Sequence, residues 1–191
     1  MNKARLEMLS DGFFAVIMTI MVLGLKPPAG TSFASLAPQD PIFLSYFLSF
    51  LFMAIYWNNH HLLFQMVKTI NSSVVWANFM LLFWMSLIPF CISWIGIDGF
   101  AQSPVTFYGV ILLLTTLSFQ LMVYFLIKIH GKDWILLQAI PHEKVGLITI
   151  LIYLLAIGAS FYFPKLAFSL YVLAVILRII PERKIEKFLY K

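Results

Sequence analysis

Residues 5–25 read RLEMLSDGFFAVIMTIMVLGL, and their reading decides the fold. The stretch opens on Arg5, Glu7, Ser10 and Asp11, then runs from Gly12 to Leu25 without a charge. Thr19 is the one side-chain hydroxyl in that run. An uninterrupted apolar run of this length suits a helix crossing a bilayer, which needs ~20 residues. A polar cluster at one end of such a helix is costly in a membrane, so it implies partners and a purpose. The apolar part is too long for the core of a signal peptide, and no small-residue cleavage site follows it. It is expected to stay in the protein as a first span.

The rest of the chain has the same solvent. Of 191 residues, 62% are hydrophobic and 11% charged, and the mean hydropathy is +0.94. A soluble domain carries roughly 25% charged residues. One all-α membrane domain covering 1–191 follows, with six transmembrane helices at about 5–26, 41–67, 72–96, 104–129, 144–163 and 166–180. Lys26-Pro27-Pro28 stops the first span, and a small-residue, Pro-containing loop follows. Asp40-Pro41, Asn71-Ser72-Ser73 and Ser103-Pro104 are helix starts, with Asp40 and Ser103 as caps before Pro. Pro89 predicts a kink or loosened turn late in the third span. Trp134 to Ile140 read as a short interfacial piece, and Pro181 ends the sixth span.

The net charge of +5 suggests the positive-inside rule rather than nucleic acid. Six spans put Lys3, Arg5, Lys68, Lys128, Lys132, Lys144, Arg178, Arg183, Lys184, Lys187 and Lys191 on one side, and only Lys26 and Lys165 on the other. Both termini are therefore expected in the cytoplasm of a cell held by a plasma (inner) membrane. The basic tail from Arg178 onward reads as solvated and drawn to lipid head groups. Trp57, Trp76, Trp94 and Trp134 lie near span ends, as an aromatic belt requires. With one cysteine, Cys91, no intrachain disulfide or CxxC motif exists. No nucleophile-base set, phosphate loop or pair of intramembrane carboxylates is visible, so no enzyme and no cofactor are expected. His60 and His61 point about 100° apart on a helix, and His130 and His142 come from another region, so no resident metal site is expected.

Within the first span, Val16, Ile20 and Leu23 share one face at i, i+4 and i+7, with Thr19 beside Ile20. Spacing alone makes these ordinary lipid-facing or core positions. Arg5 and Asp11 are six apart, too far round the helix to pair, so each is expected to find a partner elsewhere. Asp11 with the histidine pair leaves a small proton-coupled transporter open, and a non-conducting accessory subunit is open as well.

The segment Arg5-x-x-x-Leu9-Ser10-Asp11-Gly12-Phe13-Phe14-Ala15-Val16 resembles the RxxxFSDGVFAI signature of the transmembrane protein 175 family of potassium channels. Leu9, Phe13 and Val16 replace other apolar residues, and the rest match. Trp57-x-x-His60-His61-x-x-Phe64 is similar to the family's WxxHHxxF, and Asn78 and Leu87-Ile88-Pro89-Phe90 also agree. The likeness is specific in the first three spans and hydropathic in the last three. It implies a homotetramer in membrane lipid, with the first helix of each subunit lining a central pore that passes K+ without a TVGYG filter. By the same resemblance, Val16 takes the narrow hydrophobic position, Thr19 the hydroxyl position tied to potassium preference, and Ile20 and Leu23 the next layers outward. Arg5, Ser10 and Asp11 take the hydrogen-bond network that orients the pore helix, joined by Trp57, His60 and His61.

Overall fold

The protein is described by a computed structural model covering residues 2–28, 30–131 and 142–178. Every regular element among these residues is helical: α1 (Lys3–Ile20), α2 (Asp40–Met66), α3 (Ser72–Ser86), α4 (Ile88–Asp98), α5 (Gln102–His130), α6 (His142–Ser160) and α7 (Pro164–Leu177). Short 3-10 turns cover Met21–Gly24 and Phe33–Gln39. Four stretches are long and apolar enough to cross a membrane: Lys3–Gly24, Phe33–Met66, Ser72–Asp98 and Gln102–His130. Val145–Ser160 and Pro164–Leu177 are shorter apolar helices. The expected interfacial piece at Trp134 to Ile140, the stop at Pro181 and most of the basic tail lie outside the described residues.

Local sequence explains most of the boundaries. Asn2 caps α1 by accepting from the Arg5 backbone N–H at 2.9 Å, and Asn71 caps α3 by accepting from Val74 N–H at 3.1 Å. α1 tightens into a 3-10 turn before Pro27 and Pro28, which have no N–H to continue a helix. Two expected caps are corrected. Asp40 is the first helical residue of α2 rather than its cap, and Gln39 precedes it without a side-chain bond. Likewise α5 begins at Gln102, before Ser103, on the uncapped Ala101. In both places a following proline pre-sets the first turn, so the start does not depend on a side-chain acceptor. The stretch expected as loop before Asp40 is also corrected, since Phe33–Gln39 winds into 3-10 helix.

The third apolar stretch breaks where Pro89 predicts trouble. α3 stops at Ser86, Leu87 takes up the turn, and α4 restarts with Pro89 in its first turn. Pro89 has no N–H for the Met85 carbonyl and its ring crowds that carbonyl, so one straight helix is excluded. α4 then packs beside α2 and α5. Close approach there depends on Gly96, because a Cβ at that position would run into the Ile42 side chain of α2.

The core lies between α2, α4 and α5, with α6 and α7 closing one side. It is rich in buried tyrosines, and the hydroxyls of three of them find partners across helices. Tyr108 pairs with Ser49 at 2.8 Å, Tyr171 donates to the Val105 carbonyl at 3.3 Å, and Tyr56 bonds Thr116 at 2.7 Å. Arg178 is a correction. It was expected in solvent at the head of a basic tail, but it is 4% exposed. Its Nη1 donates to the Tyr56 hydroxyl at 2.6 Å and reaches Thr116 Oγ1 at 3.5 Å. The guanidinium carbon also sits 4.3 Å from the Tyr56 ring centroid. An arginine one residue past an apolar helix gains such a site because aromatic faces and hydroxyls replace its water.

Candidate functional site

α1 has two unlike faces. Leu6, Ser10, Phe14, Ile17 and Met21 are buried against the other helices. The opposite side carries Val16 at 54% exposure, Ile20 at 45% and Leu23 at 75%, with Thr19 also exposed between them. In one chain this stripe has no protein cover. The Thr19 hydroxyl donates back to its own helix, 2.8 Å from the Val16 carbonyl and 3.1 Å from that of Ala15. Its hydrogen is thereby engaged within the helix, and the oxygen lone pairs stay available to something outside it.

The buried face of α1 is held by a directed chain of hydrogen bonds. Ser10 Oγ donates to the Leu6 carbonyl at 2.8 Å and accepts from Asn78 Nδ2 of α3 at 2.9 Å. Asn78 Oδ1 then faces His60 Nε2 of α2 at 2.9 Å. With the amide nitrogen committed to Ser10, Oδ1 accepts, so His60 carries its proton on Nε2. All three side chains are fully buried. His60 is clamped between Phe64, stacked at 4.4 Å between ring centroids, and Phe14 of α1 at 5.8 Å.

A second, wetter set lies beside it. Trp57 Nε1 of α2 donates to Asp11 Oδ1 at 2.9 Å. Trp57 stacks on His61 at 5.8 Å with the ring planes 12° apart. His61 Nδ1 is 3.8 Å from Glu7 Oε1, and Gln65 Nε2 lies 2.9 Å from His61 Nε2. Ser10, Asp11, Trp57, His60 and His61 are therefore brought together around the start of α1. Arg5 is not: it is exposed, and its guanidinium has no hydrogen bond or ion pair with another described residue of the chain. Two members, Asn78 and Glu7, were noted in the sequence but not placed in the anchor network. Asn78 is the central link, and its signal was an amide within the apolar run of α3. Glu7 meets His61 from one turn before Asp11.

Three comparisons bear on this arrangement. The profile of the family described as endosomal/lysosomal potassium channel TMEM175 matches residues 5–89. A protein named as a potassium channel from Chryseobacterium sp. (strain P1-3) is 46% identical over 187 residues, which is 98% of this chain and 97% of that one. Another so named, from Streptomyces collinus, is 28% identical over 129 residues, covering 63% of each. The human endosomal/lysosomal proton channel TMEM175 is 27% identical over 116 residues, 54% of this chain and 23% of its own. Among solved structures, the crystal structure of a lysosomal potassium-selective channel TMEM175 homolog from Chamaesiphon minutus superposes with a TM-score of 0.77 at 24% identity. It covers 94% of this chain and 97% of that one. That likeness shows a shared fold.

Proposed function

This chain belongs to the TMEM175 family and is a potassium channel, and from that premise we propose how it conducts. Four copies surround a central axis with α1 of each facing inward, so that Val16, Thr19, Ile20 and Leu23 line the path. Each chain crosses the bilayer six times, and both termini are cytoplasmic. Val16 forms the narrow ring, blocks ions by dewetting when closed, and admits water on a small widening. Thr19 supplies a ring of four oxygens whose own hydrogens are already taken up by the helix. Such a weakly coordinating ring favours K+, which gives up hydration more easily than Na+. Ile20 and Leu23 continue the apolar wall outward.

Ser10, Asp11, Trp57, His60 and His61 act as the anchor that fixes the rotation of α1, and Arg5, which is exposed, is left to meet a neighbouring copy. The buried chain from His60 through Asn78 to Ser10 holds its register, and Trp57 on Asp11 holds the mouth. Membrane lipid is the surrounding partner. The single observation that carries the reading is the uncovered stripe on α1, apolar except for Thr19, opposite a face buried and pinned by hydrogen bonds. A lone chain leaves that stripe on its outside, whereas fourfold assembly turns it into a channel wall. The test is reconstitution of the purified protein with bi-ionic reversal potentials. Steady unitary currents that reverse in favour of K+ are expected; transport too slow to resolve as unitary events would replace the channel reading with a carrier.

A further inference from the structure

Away from the pore helix, α3 and α5 form an open groove of about 650 Å³. Its walls are Trp76, Phe79, Met80 and Phe83 of α3 with Leu121 and Phe125 of α5. Trp76 is 73% exposed and Phe83 54%. Among the described residues, no acidic side chain lines it. We propose that this groove holds an acyl chain of an anionic phospholipid, whose head group meets Lys128. The proposal rests on the membrane-spanning reading above, in which this end of the groove faces the cytoplasmic leaflet.

Direction comes first. Asn78 of α3 points at α1 through Ser10. At ~100° per residue, Ser73, Trp76, Met80 and Phe83 lie about 140–160° around from Asn78. The groove therefore opens away from the pore axis, toward lipid. Length comes second. From Ser73 to Trp84 α3 rises roughly 16 Å, against about 15 Å for half of a bilayer core. The groove stops near where Leu87 and Pro89 break the helix. Its depth thus matches one leaflet.

Charge selects the head group. Leu121, Phe125 and Lys128 follow one another at i, i+4 and i+7, so Lys128 continues the groove face of α5. Lys68 stands on the other side of α5: its backbone N–H donates to His130 Nε2 at 3.2 Å, and His130 lies about 180° around the helix from Leu121. Lys128 is exposed. An ammonium group at the rim of an apolar slot complements a lipid with net negative charge better than a zwitterionic one.

The test uses the full chain in phosphatidylcholine vesicles that contain brominated phosphatidylglycerol or brominated phosphatidylcholine at matched mole fraction. Tryptophan quenching is read in the wild type and in Trp76→Phe, and the difference isolates Trp76. Brominated phosphatidylglycerol is expected to associate about fivefold more strongly. Lys128→Ala should bring the ratio to one. Should that variant fail to fold, the wild type in about 1 M KCl must show the same loss, because the screening length falls to ~3 Å. Equal quenching by the two lipids, or a preference that survives both treatments, overturns the proposal. Absence of quenching by either lipid also overturns it and assigns the groove to a second copy of the chain. K+ flux in the same vesicles separates the two readings: flux without lipid preference sinks the lipid site alone, and preference without flux sinks the channel reading.

Discussion

Removing one oxygen atom should test the buried Arg178 better than removing the arginine. Arg178 donates to the Tyr56 hydroxyl at 2.6 Å. Thr116 donates to the Leu112 carbonyl at 2.9 Å, so the Tyr56 hydroxyl is left to donate to Thr116 at 2.7 Å. Tyr56→Phe deletes the acceptor of a buried charge and keeps the ring beneath it. A hydrogen bond to a charged group contributes about 1.5–3 kcal/mol, and stranding the charge costs at the upper end of that range. The expected loss is about 2–3 kcal/mol, or roughly 5–10 °C in the thermal midpoint for a chain of this size. Arg178→Met should cost less, because Tyr56 keeps its bond to Thr116 and no charge is stranded. Adding Arg178→Met to Tyr56→Phe should recover most of the loss. Thermal unfolding of the detergent-solubilised protein, followed by tryptophan fluorescence as a double-mutant cycle, measures all three. A Tyr56→Phe midpoint unchanged within error, or a double variant less stable than Tyr56→Phe, would refute the reasoning.

Other expectations follow from α1 and its anchor. Thr19→Val keeps the shape but removes the oxygen ring, and should lower the K+ over Na+ permeability ratio about fivefold, for a term on the order of 1 kcal/mol; an unchanged bi-ionic reversal potential would mean that Thr19 does not meet the ion. Val16→Ala should raise leak current at fixed voltage, and an unaltered closed-state conductance argues against a pore-facing Val16. Asn78→Ala strands His60 in a buried site and leaves Ser10 only its bond to the Leu6 carbonyl, and should cost about 2–3 kcal/mol of thermal stability, more than Ser10→Ala; the reverse order in unfolding experiments would contradict the directed chain. Arg5→Ala should reduce the yield of assembled protein in size-exclusion chromatography and leave the reversal potential of assembled channels unchanged.

The sequence carried the apolar stretches, the Asn71 cap and the break at Pro89, because each depends on neighbours within one or two helical turns. It also carried the family motif, and with it the identities of Ser10, Asp11, Trp57 and His60. What joins those residues was not legible. Asn78 lies 68 residues from Ser10, and a single amide in an apolar helix does not announce its partner. Arg178 misled for a related reason. Charge counting sends a cation at a helix end to water, and only the approach of Tyr56, 122 residues away, offers it an alternative. The facing of Val16, Ile20 and Leu23 could be drawn only from the family likeness, since an all-apolar helix has no polar face to orient it.

The 3-10 turn that ends α1 has a geometric consequence for the wall. From Val16 to Ile20, four α-helical steps overshoot a full circle by about 40°. From Ile20 to Leu23, three 3-10 steps return to the same azimuth, because that helix has ~3.0 residues per turn. Leu23 thus stands directly over Ile20, about 6 Å further along, where a continued α-helix would have swung it roughly 60° aside. The outer end of the stripe is straightened into a vertical seam, so that in the proposed tetramer fourfold rotation would stack these two tiers of the wall in phase rather than staggered. Any one-residue insertion between Ile20 and Gly24 would rotate the upper tier by a third of a turn. This stretch is therefore a spacer whose length, more than its side chains, sets the shape of the outer mouth.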